Sequence, residues 1–256
     1  PYYPDTPAIR DDIARYYDTV TLMDDAAGEI LAELREDGLM DETIVFFYSD
    51  HGRGMPRHKR YLYDAGMRVP LLVYIPEKYR HFAPEGPGSR MDGLVSFIDF
   101  PPTLLRLAGV DVPDVMDGRV FLERGQEEEG RRYVFGSRDR IDEVLEVVRS
   151  ARDDRYLYIR NYLPHRPRMP YSHYSEQADS RKELRRMAAS GDLIGSAREF
   201  MLPTKPVEEL YDTKADPHQV YNLAAKPEYR QILERLRGAY RDWSRSVRDV
   251  ALVPEP

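Results

Sequence analysis

The pattern of apolar and polar positions divides the chain into helical, extended and irregular stretches. From Ile9, apolar side chains recur at Ile13, Tyr16, Val20, Met23, Ala27, Ile30 and Leu34. Steps of three and four place them on one stripe of a helix. This predicts a single long helix over 8–37, with Thr6-Pro7 as N-cap and first position and Gly38 as the stop. The stripe is expected to pack on a core. Thr43-Ile44-Val45-Phe46-Phe47-Tyr48 is β-rich and almost continuously apolar, which suits a strand buried on both faces, as in a parallel sheet flanked by helices. A second apolar run at 69–75 is closed by Pro76, and the polar loop between the runs holds Gly52, Gly54 and Pro56. The order helix, strand, loop, strand predicts an α/β domain.

Residues 77–93 are rich in Pro, Gly and charge and read as surface loop. Leu94–Ile98 is apolar, and Pro101-Pro102 open a short helix through Leu107 that Gly109 stops. Glu123–Arg132 is charge-dense and reads as a boundary or exposed loop. Three short strands follow at Tyr133–Phe135, Val144–Val148 and Tyr156–Ile159, with a hairpin-like turn at Arg152–Arg155. Residues 162–206 read as irregular, with a helical stretch at 179–190. Glu209-Leu210-Tyr211 is a last strand, and Pro227 starts a terminal amphipathic helix carrying Ile232, Leu233, Leu236, Tyr240 and Trp243. The predicted division is 1–125, an α/β part, and 126–256, a small α+β lobe with a short antiparallel sheet and a terminal helix.

Composition narrows the function classes. With 41% hydrophobic and 32% charged residues the chain can bury a sizeable core. A net charge of -7 argues against a general nucleic-acid binder, which needs a basic face. No apolar run approaches the roughly 20 residues of a membrane helix. The chain opens on Pro1 with no signal peptide before it, which leaves the compartment open. The absence of cysteine excludes disulfides, thiolate metal sites and a cysteine nucleophile within these residues. Against the acidic average, Arg53, Arg57, His58, Lys59 and Arg60 are clustered. They form either a solvated basic loop or an anion site.

Ser49-Asp50-His51-Gly52 closes the first predicted strand, and sites in α/β sheets lie beyond the carboxyl ends of strands. An Asp oxygen and a His nitrogen side by side can hold a divalent cation, and a glycine lets the chain turn away. The simpler reading is an Asx-type turn with His51 on the surface. Lys59-Arg60-Tyr61-Leu62-Tyr63-Asp64-Ala65-Gly66-Met67-Arg68-Val69-Pro70 then leads into the second strand. Here the chain resembles the sulfatases of the alkaline-phosphatase superfamily. Their S-D-[HN]-G segment is followed by a glycine-containing loop, a lysine and an R-V-P turn. Met55-Pro56 and the spacing from Lys59 to Gly66 look most like the sulfamidase (heparan N-sulfatase) branch. The resemblance continues in Val95–Asp99 with Pro102-Thr103-Leu104-Leu105 and Ala108-Gly109, and in Asp117-Gly118-Arg119. It also covers Glu209-Leu210-Tyr211-Asp212 with Asp216-Pro217 and Asn222-Leu223-Ala224.

The resemblance implies that 1–125 is the C-terminal portion of a sulfatase catalytic domain, part of an alkaline-phosphatase-like mixed sheet flanked by helices, and that the protein is a hydrolase of sulfate esters or N-sulfates, acting on a sulfated carbohydrate. It implies one divalent metal held partly by Asp50 and His51, calcium by family. Because the family often has Asn at His51, manganese or zinc also suits the site, and His51 could instead act as an acid or base beside the metal. Lys59 is implied to contact the sulfate oxygens, or to protonate the leaving oxygen with a histidine. His165-Arg166-Pro167-Arg168 offers a basic contact for an anionic sugar or is an ordinary loop, and Arg68 is expected to be structural, pairing with Asp64. The family's formylglycine motif, C/S-x-P-x-R, does not occur, and Asp11-Asp12, Asp24-Asp25 and Asp153-Asp154 read as solvated faces, not as the family's Asp-Asp ligands. The expectation is that the N-terminal half of the parent supplies nucleophile and remaining ligands, that these residues alone are inactive and poorly soluble, and that the compartment is periplasmic, extracellular or lysosomal in type. Two alternatives remain: a phosphodiester or phosphonate monoester hydrolase of the superfamily, and a catalytically silent carbohydrate-binding fragment.

Overall fold

The computed structural model describes residues 1–122 and 130–251. The expected domain boundary at 125/126, and most of the charge-dense stretch around it, lie outside the described residues. In chain order the elements are α1 (Pro7–Glu36), β1 (Val45–Tyr48), α2 (Asp64–Met67), β2 (Leu71–Tyr74), α3 (Phe100–Leu107), β3 (Val134–Arg138), β4 (Val148–Arg152), β5 (Tyr156–Asn161), α4 (Asp179–Ser190), α5 (Gly195–Phe200), β6 (Glu208–Asp212) and α6 (Arg230–Ser246). They form an α/β chain with two antiparallel sheets and flanking helices. Two compact units divide it: Pro1–Leu22 with Ser49–Val69 and Phe135–Pro256, and Met23–Tyr48 with Pro70–Val134. No helix among the described residues is long and apolar enough to cross a membrane.

α1 begins and ends as its sequence dictates. The Thr6 carbonyl accepts the Arg10 N–H at 3.0 Å. At the other end Gly38 takes φ +70°, and the N–H groups of Gly38 and Leu39 bond back to Arg35 and Leu34, the pairing that closes a helix on a left-handed glycine. Of the stripe only Ile9 is fully buried; Ile13, Tyr16, Val20, Ala27 and Leu34 are half-buried, and Met23 and Ile30 are 42% and 67% exposed. Periodicity shows that a stripe is apolar and does not show what covers it.

In the second unit β1 and β2 pair antiparallel, Val45 opposite Tyr74 and Tyr48 opposite Leu71. The expected parallel, doubly buried arrangement is corrected here. A continuous apolar run is compatible with either pairing, and Tyr48 and Leu72 remain exposed. Phe100 gathers Phe46, Tyr48, Phe97 and Phe121 around its ring at centroid distances of 5.0 to 6.2 Å. Buried Asp99 holds the following turn: it caps the Ser96 N–H, accepts from the Arg119 N–H at 2.8 Å and pairs with Arg131. A Cβ on Gly118 would stand 1.7 Å from the Ile98 carbonyl oxygen, so only glycine fits.

A second sheet has the order β3-β4-β5-β6, with β4–β5 and β5–β6 antiparallel. Successive β5 side chains face opposite sides. Tyr158 lies toward α6, near Tyr240, while Leu157 and Ile159 join Val148 and Tyr211 in a core with Tyr61, Tyr63, Leu184 and Phe200. The strand expected at Val144–Val148 is displaced to Val148–Arg152. Its polar members hid it: Arg149 is buried because it pairs with Asp139 and Asp249. α5 was not expected; it is six residues long and buries only Ala197 and Phe200. Asp153, expected on a solvated face, is buried and accepts the N–H groups of Arg155 and Tyr156 and the Arg235 side chain.

Candidate functional site

The loop between β1 and α2 is pinned to itself by two glycines. The Gly52 N–H donates to the Gly66 carbonyl at 2.9 Å. A Cβ on Gly52 would lie 1.9 Å from the Ala65 carbonyl oxygen, and one on Gly66 would lie 2.2 and 2.3 Å from those of Tyr61 and His58. Backbone atoms cannot yield at such distances, so glycine at both positions lets residues 52 and 66 touch. The loop also carries two non-glycine residues with left-handed backbone, Arg57 at φ +69° and Arg60 at φ +75°. Such conformations cost on the order of 1–3 kcal/mol each and persist where surrounding contacts hold them.

Asp50 and His51 sit at the start of this loop. The Ser49 hydroxyl donates to the His51 carbonyl at 2.8 Å, and the His51 N–H donates to Asp50 Oδ1 at 2.9 Å. His51 Nδ1 bonds the Gly52 carbonyl oxygen at 2.8 Å, which assigns the proton to Nδ1. Nε2, left as the lone pair, faces Asp50 Oδ2 at 3.1 Å. Two acceptors at that distance call for a cation between them. A proton meets the need; so does a divalent ion, because cis ligands at roughly 2.1 Å from a metal stand about 3 Å apart. The backbone carbonyl on Nδ1 is the usual outer partner of a ligating imidazole. The Asp50 side chain is 79% exposed. Among the described residues no group of three or more His, Cys, Asp or Glu could hold a metal.

The basic cluster divides by burial. Arg57 and His58 are inside. Arg57 donates to the His218 carbonyl at 2.7 Å and to that of Gln219, and its guanidinium lies 3.7 Å from the Tyr63 ring centre. This arginine clamps the loop to the segment after β6. The His58 ring contacts the Tyr2 hydroxyl at 3.0 Å and the Ala65 carbonyl at 3.1 Å. Burial, then the Arg53 charge, lowers its pKa to about 4. Lys59 and Arg60 are half-buried. The Lys59 ammonium donates to the Tyr174 hydroxyl at 3.4 Å and lies 5.3 Å from the ring centre. Arg53, His58, Arg68 and His218, with Tyr2 and Asp64, line a pocket of about 240 Å³.

The remaining expectations resolve differently. Asp64 pairs with Arg152 at 2.9 Å, not with Arg68, whose side chain is exposed. His165 is exposed and Arg166 donates to the Leu145 carbonyl at 3.2 Å. No hydrogen bond or ion pair among the described residues joins either of them, or Lys59, to Asp50 or His51. Arg168 is mostly buried and lies 3.6 Å from Glu209. The segments after β6 are framework: Asp216 accepts the Val220 and Tyr221 N–H groups, and Asn222 Oδ1 accepts those of Leu210 and Ala224. Sequence reasoning did not single out Tyr174, and it placed Arg57 in the basic cluster without seeing it as a clamp. Tyr174 lies in a stretch without local periodicity, and a clamp such as Arg57 shows only once its distant partners are placed.

Comparison with known proteins adds to this geometry. The family model described as "Sulfatase" matches residues 1–110. An "Ulvan-active sulfatase" of Formosa agariphila is 37% identical over 255 residues, covering 100% of this chain and 42% of that protein. The human "N-sulphoglucosamine sulphohydrolase" is 30% identical over 262 residues, covering 97% of this chain and 51% of that protein. The chain thus spans about half the length of these relatives or less. A solved structure described as a complex with its substrate, D-glucosamine-2-N,6-O-disulfate, shares the fold at a TM-score of 0.61 and 21% identity, over 90% of this chain and 40% of that one.

Proposed function

The chain belongs to the sulfatase family, and from that membership we propose that it is part of a hydrolase of sulfate esters or N-sulfates on a carbohydrate. One observation carries the assignment of roles: His51 Nε2 and Asp50 Oδ2 face each other at 3.1 Å beside a glycine-locked loop that presents Lys59. In this reading Asp50 and His51 hold a divalent cation together with ligands from a part of the parent protein outside these residues. The ion supplies fixed positive charge for the sulfuryl oxygens when bound. The nucleophile, a formylglycine in this family, likewise belongs outside these residues.

The chain's own contribution follows from the chemistry. As the S–O or S–N bond breaks, negative charge grows on the sulfuryl oxygens and on the leaving atom. Lys59 donates hydrogen bonds to the sulfuryl oxygens, or passes a proton to the leaving atom with a histidine. The Gly52 carbonyl accepts from His51 Nδ1–H and so holds the imidazole in the tautomer that leaves Nε2 free to bind the cation beside Asp50. His165 and Arg166, which lie in a separate loop segment, are proposed as an outer contact for an anionic sugar.

The test uses the full-length protein that carries this chain, expressed with a formylglycine-generating enzyme. Wild type, Asp50→Ala and Lys59→Ala are offered an N-sulfated glucosamine, an aryl sulfate and an aryl phosphodiester, before and after chelation. Each variant is expected to lose on the order of 100-fold or more in kcat/KM on the sulfated substrates. Chelation should abolish turnover, and an added divalent ion should restore it. Undiminished desulfation in both variants would remove these residues from the site, and turnover of the phosphodiester alone would move the protein to the phosphohydrolase side of the superfamily.

A further inference from the structure

Lys59 does not project alone. We propose that Tyr174, from the segment between β5 and α4, is a positioning residue that holds the Lys59 ammonium ready for a sulfate group. This rests on the role given above to Lys59.

Among the described residues the hydrogen bond and the cation–π contact of the ammonium both fall on Tyr174, with the hydroxyl at 3.4 Å and the ring centre at 5.3 Å. An ammonium has three donors on a four-carbon stem and wanders unless something fixes it. One donor directed to the hydroxyl leaves two for an anion. Tyr174 is held in turn by Arg60, whose guanidinium lies 4.9 Å from the same ring centre. Arg60 is itself anchored, to Asp142 at 2.7 Å and to the Ser172 hydroxyl at 3.2 Å. Neighbouring side chains on an extended backbone diverge. The left-handed backbone at Arg60, φ +75°, accompanies a local geometry in which Lys59 and Arg60 reach one ring. Two cations share that ring, and Tyr174 is 53% exposed. Asp142 compensates the Arg60 charge, which leaves the Lys59 ammonium as the cation at this ring available to an anion such as a sulfate group.

A positioning role separates from a merely structural one by a double-mutant cycle. The full-length protein is prepared as wild type, Tyr174→Phe, Lys59→Ala and the double variant. Inorganic sulfate binding is measured by calorimetry and kcat/KM on an N-sulfated glucosamine by initial rates. Tyr174→Phe keeps the ring for Arg60 and loses only the hydroxyl. It is expected to weaken sulfate binding and lower kcat/KM by about fivefold, with an unchanged thermal midpoint, the scale of one hydrogen bond to a charged group near the surface. In the Lys59→Ala background the same change should have an effect within about twofold. Equal losses in both backgrounds, or no loss in the wild-type background, would overturn the role of Tyr174 while leaving that of Lys59 intact. If Lys59→Ala changes neither sulfate binding nor turnover, the reading of Lys59 fails, and the positioning role fails with it.

Discussion

At the scale of single residues, His58 shows how a basic run can hold a neutral side chain. Its ring is buried among Tyr2, Arg53 and the Ala65 carbonyl, and burial followed by the Arg53 charge lowers its pKa from the ordinary 6.5 to about 4. The unfolded chain takes up the proton near pH 6.5 and the folded chain resists it until about pH 4. The contribution to stability is therefore complete above pH 6.5 and is lost as pH falls from there through the folded value. The thermal midpoint of the full-length protein should drop between pH 7 and pH 4.5, with roughly 2 kcal/mol of the loss belonging to His58. His58→Phe should remove that share, so a calorimetric pH series with the same slope in wild type and variant would refute the assignment. Nothing in the sequence marks which members of Arg53–Arg60 turn inward. The left-handed backbone at Arg57 and Arg60 breaks the alternation that pattern reading relies on. The Asp50-His51-Gly52 turn, by contrast, was legible, because a strand end, two donor types and an obligatory glycine coincide within four residues.

At the scale of elements, β6 carries a charge into the core and surrounds it with donors. Glu209 is buried and accepts hydrogen bonds from Tyr63 at 3.0 Å, Tyr211 at 2.5 Å and Asn161 at 2.7 Å, with Arg168 at 3.6 Å. Burial alone would raise its pKa, but Arg168 and these hydrogen bonds outweigh burial and hold the carboxyl below its usual range. The phenol of Tyr63 shifts the other way, up to about 12, through its burial and then the Glu209 charge. Removing one partner of such a network leaves a buried charge without compensation. Glu209→Ala is expected to cost about 3–5 kcal/mol, read as a fall in thermal midpoint, and Glu209→Leu combined with Arg168→Met to recover much of it. A midpoint unmoved by Glu209→Ala would show that the network carries no stability. This element explains why part of the architecture was hard to read. The segment Glu209–Asp212 was recognisable as a strand by composition and resemblance. β4 was misplaced because Arg149 and Ser150 are buried polar residues and Arg152 is half-buried; Arg149 is satisfied by a partner 100 positions away that no local pattern shows.

At the scale of the whole molecule, the α/β class, the long first helix and the small antiparallel lobe closed by α6 follow from periodicity and turn residues. The antiparallel pairing of β1 with β2 does not follow, because an apolar run of four to six residues fits either direction. Their exposure leads to the last prediction. In the second unit Phe47, Tyr48, Leu72 and Tyr74, on a sheet of two strands, are between 37% and 59% exposed. On α1, Tyr17 and Leu22 in the first unit and Met23 and Ile30 in the second are between 42% and 69% exposed. A two-stranded sheet is marginal in water, and its unpaired edges invite pairing with other chains. Exposed apolar side chains on a sheet and on a helix each favour association, and the relatives described above are about twice as long or more. The 256 residues expressed alone should therefore self-associate, eluting well above the 29.9 kDa monomer in size-exclusion chromatography. Tyr48→Lys with Leu72→Lys should shift the profile toward monomer, because charge on an open sheet blocks edge and face pairing. A wild-type chain that elutes as a monomer and unfolds in one cooperative transition would show instead that these faces are tolerated in water. The apolar surface of β1, β2 and α1 would then need no covering segment, and the requirement for a further part of the parent would rest on the chemistry of the Asp50-His51 site alone.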